Sequence, residues 1–518
     1  MNDRATSIVT PRTFWIPLLC VVIATALFDL LFWRMAPGLN MSVFTISTTL
    51  LLLLLQGWQG LSSAARWALG GALISAAMVF VHNSIVSIIA AFASLAVATA
   101  LAKEERLRSL AFAGVQAFSS FFLAPIMAIA RLDRLVPQGG VPRQGWRWIK
   151  LGILPAALLL LFTQLYRGGN PRFDALTAGF MTAFFDMIGT MLQRFFTAHT
   201  LFVLFGAAVC ASLLIKLMPD TLVTIEQRFS DVLRRVRVKR PHWLEPLSMD
   251  PLERERRMGM ILLVAVNVLL AVVNVIDINW VWFGFEVPKD FSLKQFVHEG
   301  TWLLIISILL SMVILMWLFR RNQNFYWRSK GLRMLAFVWI AQNFILGVSV
   351  FLRNYHYISF HGLAYKRIGV IVFLALVLVG LITLFVKVRD RKSLFYLARV
   401  NAWAAFVALV GLTTVDWDSL IVRYNLGHWN QGEIDVDNYL VMSDKVLPLL
   451  YANIDKVEAQ MEQHKHNAVR WVDNLDIHSF RRALDDKRYR FEQRYDELSW
   501  QEWNLADRRT ARSLAQLN

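Results

Sequence analysis

Long apolar runs constrain this chain more than any motif does. They fall at about 14–33, 40–56, 64–80, 84–102, 107–130, 149–166, 174–192, 199–218, 258–278, 301–319, 332–352, 365–386 and 399–415. In lipid, backbone polar groups must bond within their own segment. A run of about 20 apolar residues therefore crosses as a helix. The expected fold is all-α: a polytopic transmembrane helical bundle with a small C-terminal helical extramembrane domain. Two of the runs, 40–56 and 64–80, are short. Asp186 lies inside 174–192, which marks that run as re-entrant or amphipathic. The first run is long and lacks a small-residue cleavage site, so it reads as a permanent helix rather than a signal peptide. Charged residues make up 18% of the chain, against about 25% in an average soluble domain.

The net charge of +17 is unevenly spread. From Asp416 onward the chain holds acidic residues in excess. The positive charge therefore belongs to the loops between apolar runs, as in cytoplasmic membrane loops. No zinc finger, recognition helix or glycine-rich phosphate loop accompanies it, so no nucleic-acid partner is expected. The basic stretches 219–257, 320–333 and 387–392 agree on one alternation. It places the N-terminus in the cytoplasm and the loop 279–300, the stretch 353–364 and everything after about 416 in the periplasm. One conflict remains. Both 103–108 and 131–148 are basic, yet a single run separates them.

The expected organisation follows. Residues 1–218 form an N-terminal membrane module of about eight helices. Residues 219–257 are a basic cytoplasmic connector, with helical spacing over 219–238 that suits an interfacial helix. Residues 258–415 form a second membrane module of about five helices. Residues 416–518 form a periplasmic helical domain, with Leu447, Leu450, Tyr451 and Ile454 as an apolar stripe. Cys20 and Cys210 both sit in apolar runs, and neither a metal nor another cofactor is expected.

Polar residues inside apolar runs are costly without partners or water. Asn267 and Asn274, seven apart, share a helical face that Asp277 approximately joins. Gln342 and Asn343 supply a second polar face, and Arg353 is a geometrically feasible partner for Asp277. These residues read either as a structural network or as part of a substrate route. Asp277 also lies near Trp280 and Trp282, which suits an interface. The stretch from Leu352 to Val370 lies beside long apolar runs and concentrates cationic and aromatic residues. Arg353, His356, His361, Lys366 and Arg367 are candidates for gripping an anionic lipid or glycan. His298 and Glu299 could join the two histidines in a weakly signalled metal site. Glu104 reads as solvated, Asp29 as facing the bundle or paired with Arg34, and Asp416 and Asp418 as structural rather than as an acid–base pair.

The blocks NVIDINWVWF (274–283), FVHEGTWLL (296–304), RNYHYISFHGLAYKRIGV (353–370), KSLFYLARVNAWA (392–404) and DWDSLIVRYNL (416–426) resemble a bacterial multi-pass membrane family of the DUF4173/DUF4153 type. That family is known as a domain of unknown function. The resemblance covers about 255–450. It implies an inner-membrane location and places these blocks in the membrane module. It implies no reaction or substrate.

Three function classes are compatible with these features. The first is a transporter or lipid/glycolipid-handling protein with a cationic outer-face site. The second is a non-enzymatic sensor or assembly partner that binds another protein through its C-terminal tail. The third is an intramembrane enzyme acting on a lipid-linked anionic substrate. Membrane lipids are partners in all three.

Overall fold

The computed structural model describes residues 11–135, 170–216, 221–235, 251–283, 300–428, 436–466 and 475–517, with a few positions between 155 and 167. Within them the chain is all-α. Nine helices are long and apolar enough to cross a membrane: α1 (Pro11–Phe32), α2 (Leu39–Gln56), α3 (Ser63–His82), α4 (Ile85–Lys103), α9 (Pro251–Asp277, continued by a π-helical turn Ile278–Trp282), α10 (Thr301–Leu318), α11 (Lys330–His361), α12 (Tyr365–Arg389) and α13 (Leu394–Thr413). Two shorter apolar helices join them, the start of α5 (Leu110–Leu135) and α7 (Ala198–Leu214). The run 174–192 lies in α6 (Pro171–Phe195), which is helical but outside those nine. Most of the run 149–166, and the loops 136–148 and 284–299, lie outside the described residues.

Short polar caps end these helices. Ser62 accepts from the Ala65 amide, Ser84 and Ser87 cap each other across the start of α4, and Ser393 accepts from Tyr396. Such side chains satisfy amides that have no partner within the helix. Gly362 ends α11 at φ +77°, a left-handed conformation that glycine adopts without strain.

The first module packs α1, α2, α3, α4, α5 and α7 around small side chains. Ala65, Ala68, Ala72, Ala90 and Ala98 are fully buried, and small residues let helices approach closely in lipid. A Cβ on Gly206 would come within 2.4 Å of the Phe28 ring. The second module packs α9, α10, α11 and α12 around Leu263, Ile308, Leu315, Trp339 and Leu384. Helix α13 falls within the second module by sequence. In the fold it also packs on α3, α4 and α5, with Phe406 against Gly71.

Interactions at the helix ends define two faces. On one, α8 (Thr221–Gln227) sends the Glu226 carboxylate to accept from the Ser109 amide at 2.8 Å, at the start of α5. The chain then runs on to a bridge between Val232 and Lys392. The helix expected over 219–238 is therefore only seven residues long in the described part. Arg108 donates to the carbonyls of Glu226 and Phe229, which takes those carbonyls out of any continuing helix. Glu104, expected to be solvated, is buried here and paired with Lys216.

The opposite face carries the tail: α14 (Trp417–Gly427), α15 (Asn438–Val441), α16 (Leu447–Ala452), α17 (Ile454–His466), α18 (Ile477–Asp496) and α19 (Leu505–Ala515). Leu447 and Leu450 lie in its core with Phe480, Leu484 and Phe491, and Tyr451 and Ile454 pack against it. The tail seats on both modules. Leu39 donates to the Trp503 carbonyl and Asn40 to that of Gln501, each at 2.9 Å. Asn425 brackets Leu363, accepting from its amide at 2.6 Å and donating to its carbonyl at 3.0 Å. Asp29, near the same face, pairs with His199 at 2.7 Å rather than with Arg34, because α1 packs against α7.

Candidate functional site

The polar residues of α9 and α11 meet along one seam. The two helices run in the same direction, from the connector face to the tail face. Asn267 donates to the Leu335 carbonyl and Asn274 to the Gln342 carbonyl, each at 3.1 Å. The Trp282 indole donates to the Ser349 hydroxyl at 2.9 Å, and His356 Nε2 lies 3.1 Å from the Val281 carbonyl. A carbonyl only accepts, so that histidine nitrogen carries the proton. Along α9 the contacts fall at 267 and 274, and then at 281 and 282 in the π-turn. Along α11 they step 335, 342, 349, 356. The seven-residue step along α11 keeps one of its faces turned to α9. Gln342 adds a bond to Asn267 Oδ1 at 3.0 Å.

Four of the five expected network residues therefore join across the seam: Asn267, Asn274, Asp277 and Gln342. Asn343 is buried but donates to Trp339 on its own helix at 2.8 Å. Ser349 and Trp282 are further members. The seven-residue spacing from Leu335 to His356 was the available signal, masked because the backbone acceptors Leu335 and Val281 carry apolar side chains.

The charged end of the seam departs from that step. Arg353 donates to Asp277 Oδ1 at 2.5 Å, and the two side chains are only 9% and 4% exposed. Asp277 Oδ2 has no hydrogen-bond partner among the described residues. A π-helical turn follows Asp277 at once, and such turns gather at functional sites. A Cβ added to Gly300 would lie 3.4 Å from the Arg353 guanidinium, so the start of α10 closes on the pair.

The stretch 353–364 was expected as an outer turn. Instead α11 continues to His361, 32 residues in all, or about 48 Å. Its charges are absorbed locally, which lets the helix continue. Arg353 turns inward to Asp277, and His356 bonds the π-turn. Arg367 caps the helix end, donating to the His361 carbonyl at 2.6 Å and to that of Gly362, where carbonyls lack intrahelical partners. Its guanidinium also lies 4.7 Å over Tyr357, against which His361 stacks. Lys366 is exposed. The five candidate cations thus take separate local roles. His298 and Glu299 lie outside the described residues, and no cluster of three metal-binding side chains occurs among the described ones.

A second charge group sits where the tail leaves α13, with Asp418 and the Lys445 side chain buried and Asp416 half-buried. Lys445 bridges Asp416 at 3.1 Å and Asp418 at 3.2 Å. Ser443 and Tyr365 also donate to Asp418. Burial pushes the Asp416 carboxyl upward, but Lys445 and Ser419 outweigh it and hold the group below its ordinary value. This group fixes the tail to α12 and α13, in keeping with the structural role expected for these aspartates.

Comparison with curated proteins and with solved structures finds no match. A family model described as a domain of unknown function, DUF4153, matches residues 68–453. That match starts well upstream of the blocks that carry the resemblance in sequence, and it runs from within α3 to just past α16, the whole seam included. This multi-pass chain belongs to the DUF4153 family.

Proposed function

We propose that the protein handles an anionic amphiphile, a lipid or lipid-linked glycan, at the tail-side end of the α9–α11 seam, as a transporter or lipid-handling protein. The observation that carries this reading is the buried Arg353–Asp277 pair beside a π-turn. A guanidinium has five donors and favours bidentate anions, so a phosphate or carboxylate can compete with Asp277 for Arg353. A buried pair is weak evidence for stability on its own account. Its placement at the end of a seam already closed by Asn267 and Asn274 makes an exchangeable partner the better reading. Lys366, exposed at the start of α12, adds positive charge on the same face.

The connector face, with its basic loops, is assigned to the cytoplasm by the charge bias of membrane loops. The tail is then periplasmic, in a bacterial inner membrane. External labelling of a cysteine at Gln463 but not at Gly331 is expected, and the reverse pattern would overturn the orientation.

The enzymatic reading needs Asp277 or His356 as a base, and both are engaged, by Arg353 and by the Val281 carbonyl. The assembly reading draws on the tail surface, where Val441 is 84% and Trp500 55% exposed. Native mass spectrometry of the nanodisc-purified protein separates the two. A discrete amphiphile present in the wild type and lost in Arg353→Ala supports handling at this site. Equal recovery from both proteins would reject it.

A further inference from the structure

The connector face holds a second basic assembly, away from the seam. Three segments are tied together there. The Tyr326 hydroxyl donates to Glu253 Oε2 at 2.8 Å, joining the loop before α11 to the first turn of α9. Lys387 donates to the Phe319 carbonyl at 3.1 Å, and Arg391 lies 5.4 Å over the Phe325 ring, joining the same loop to the end of α12.

Several acidic groups at this face are paired with cations in place. Glu253 is held by Arg256 and Arg257, Glu255 by Arg320, Asp390 by Arg389 and Asp231 by Arg399. Arg254, Arg328, Lys330 and Arg391 remain with no acidic partner among the described residues, and all four are exposed.

Trp327 stands in the same loop as Arg328. It is 73% exposed, with the Arg328 guanidinium 4.3 Å over its ring. The loop that presents it is firmly held, with Gln323, Asn324 and Ser329 buried on either side. An indole and a guanidinium aimed outward from a fixed loop suit the headgroup layer, where tryptophan settles and lysine and arginine meet anionic lipid. A rigid presentation also lowers the entropy lost on binding.

We propose that Trp327, Arg328 and Lys330, with Arg254 and Arg391 on the same face, form a binding site for the headgroup of an anionic phospholipid. The site is independent of the Arg353 site, from which the length of α11 separates it.

The test titrates the full chain in mild detergent with phosphatidylglycerol or phosphatidylcholine and counts bound lipid by native mass spectrometry. The wild type is expected to retain phosphatidylglycerol preferentially. Arg328→Gln with Lys330→Gln should weaken that retention about ten-fold or more, since each charge near anionic lipid contributes about 1 kcal/mol. Both glutamine substitutions are at exposed positions, and an unchanged unfolding temperature verifies folding. Equal retention of the two lipids by the wild type, or undiminished phosphatidylglycerol binding in the double variant, would overturn the proposal. Displacement by inorganic phosphate would overturn the lipid assignment in favour of a free anion.

Discussion

The two membrane modules solve the same packing problem by different chemistry. In the first, helices approach on alanine, serine and glycine, and Phe28 fills the space beside Gly206. In the second, α9 and α11 are joined by side chains that bond to backbone carbonyls across the seam. Lipid gives helices little hydrophobic reason to associate, so contact shape and hydrogen bonds decide. In the first, the charge pairs Asp29–His199 and Glu104–Lys216 lie at the helix ends. The second ends in a charge pair that a ligand can contest. Under the proposed function, this unequal chemistry corresponds to unequal roles, scaffold and site.

Substitutions can break this contrast, and the largest effect is expected at the charge pair. Arg353→Ala leaves Asp277 buried without its counter-charge and should cost about 3–5 kcal/mol, read as a lowered unfolding temperature in detergent. Gly206→Val in the scaffold should cost about 1–3 kcal/mol by overpacking, because Phe28 is boxed in by Phe32, Phe44 and Phe202. Asn274→Ala should cost about 1 kcal/mol, the range for interhelical hydrogen bonds in membranes. A value above that of Arg353→Ala would move the weight of the seam from its end to its middle.

A smaller effect concerns the tail. Asp416 is held below its ordinary pKa, so its contribution is present above the unfolded value of about 3.9 and is lost as pH falls through the lower folded value. Acidification into that range should speed amide exchange in 443–450, and Asp416→Asn should flatten this dependence.

Much of the architecture is legible in the apolar runs, because lipid leaves a helix as the form such a run can take. The tail's Leu447 and Leu450 could be read in the same way, from helical spacing. The site was legible in part. Asn267, Asn274, Asp277 and Arg353 stand out because polar groups in an apolar run need partners. The end of α11 was misread because charge next to an apolar run resembles a loop, whereas here Asp277, the π-turn and the helix terminus absorb it. Glu226 was invisible for a related reason. Its role depends on amides 117 residues away in sequence, and periodicity carries no information about such a contact.

The most direct measurement is a double-mutant cycle on stability with Asp277→Asn, Arg353→Gln and the pair together. The account predicts strong coupling, with the double variant far more stable than the sum of the single losses implies. Additive losses would contradict it, because Arg353 and Asp277 would then not act as one exchangeable pair.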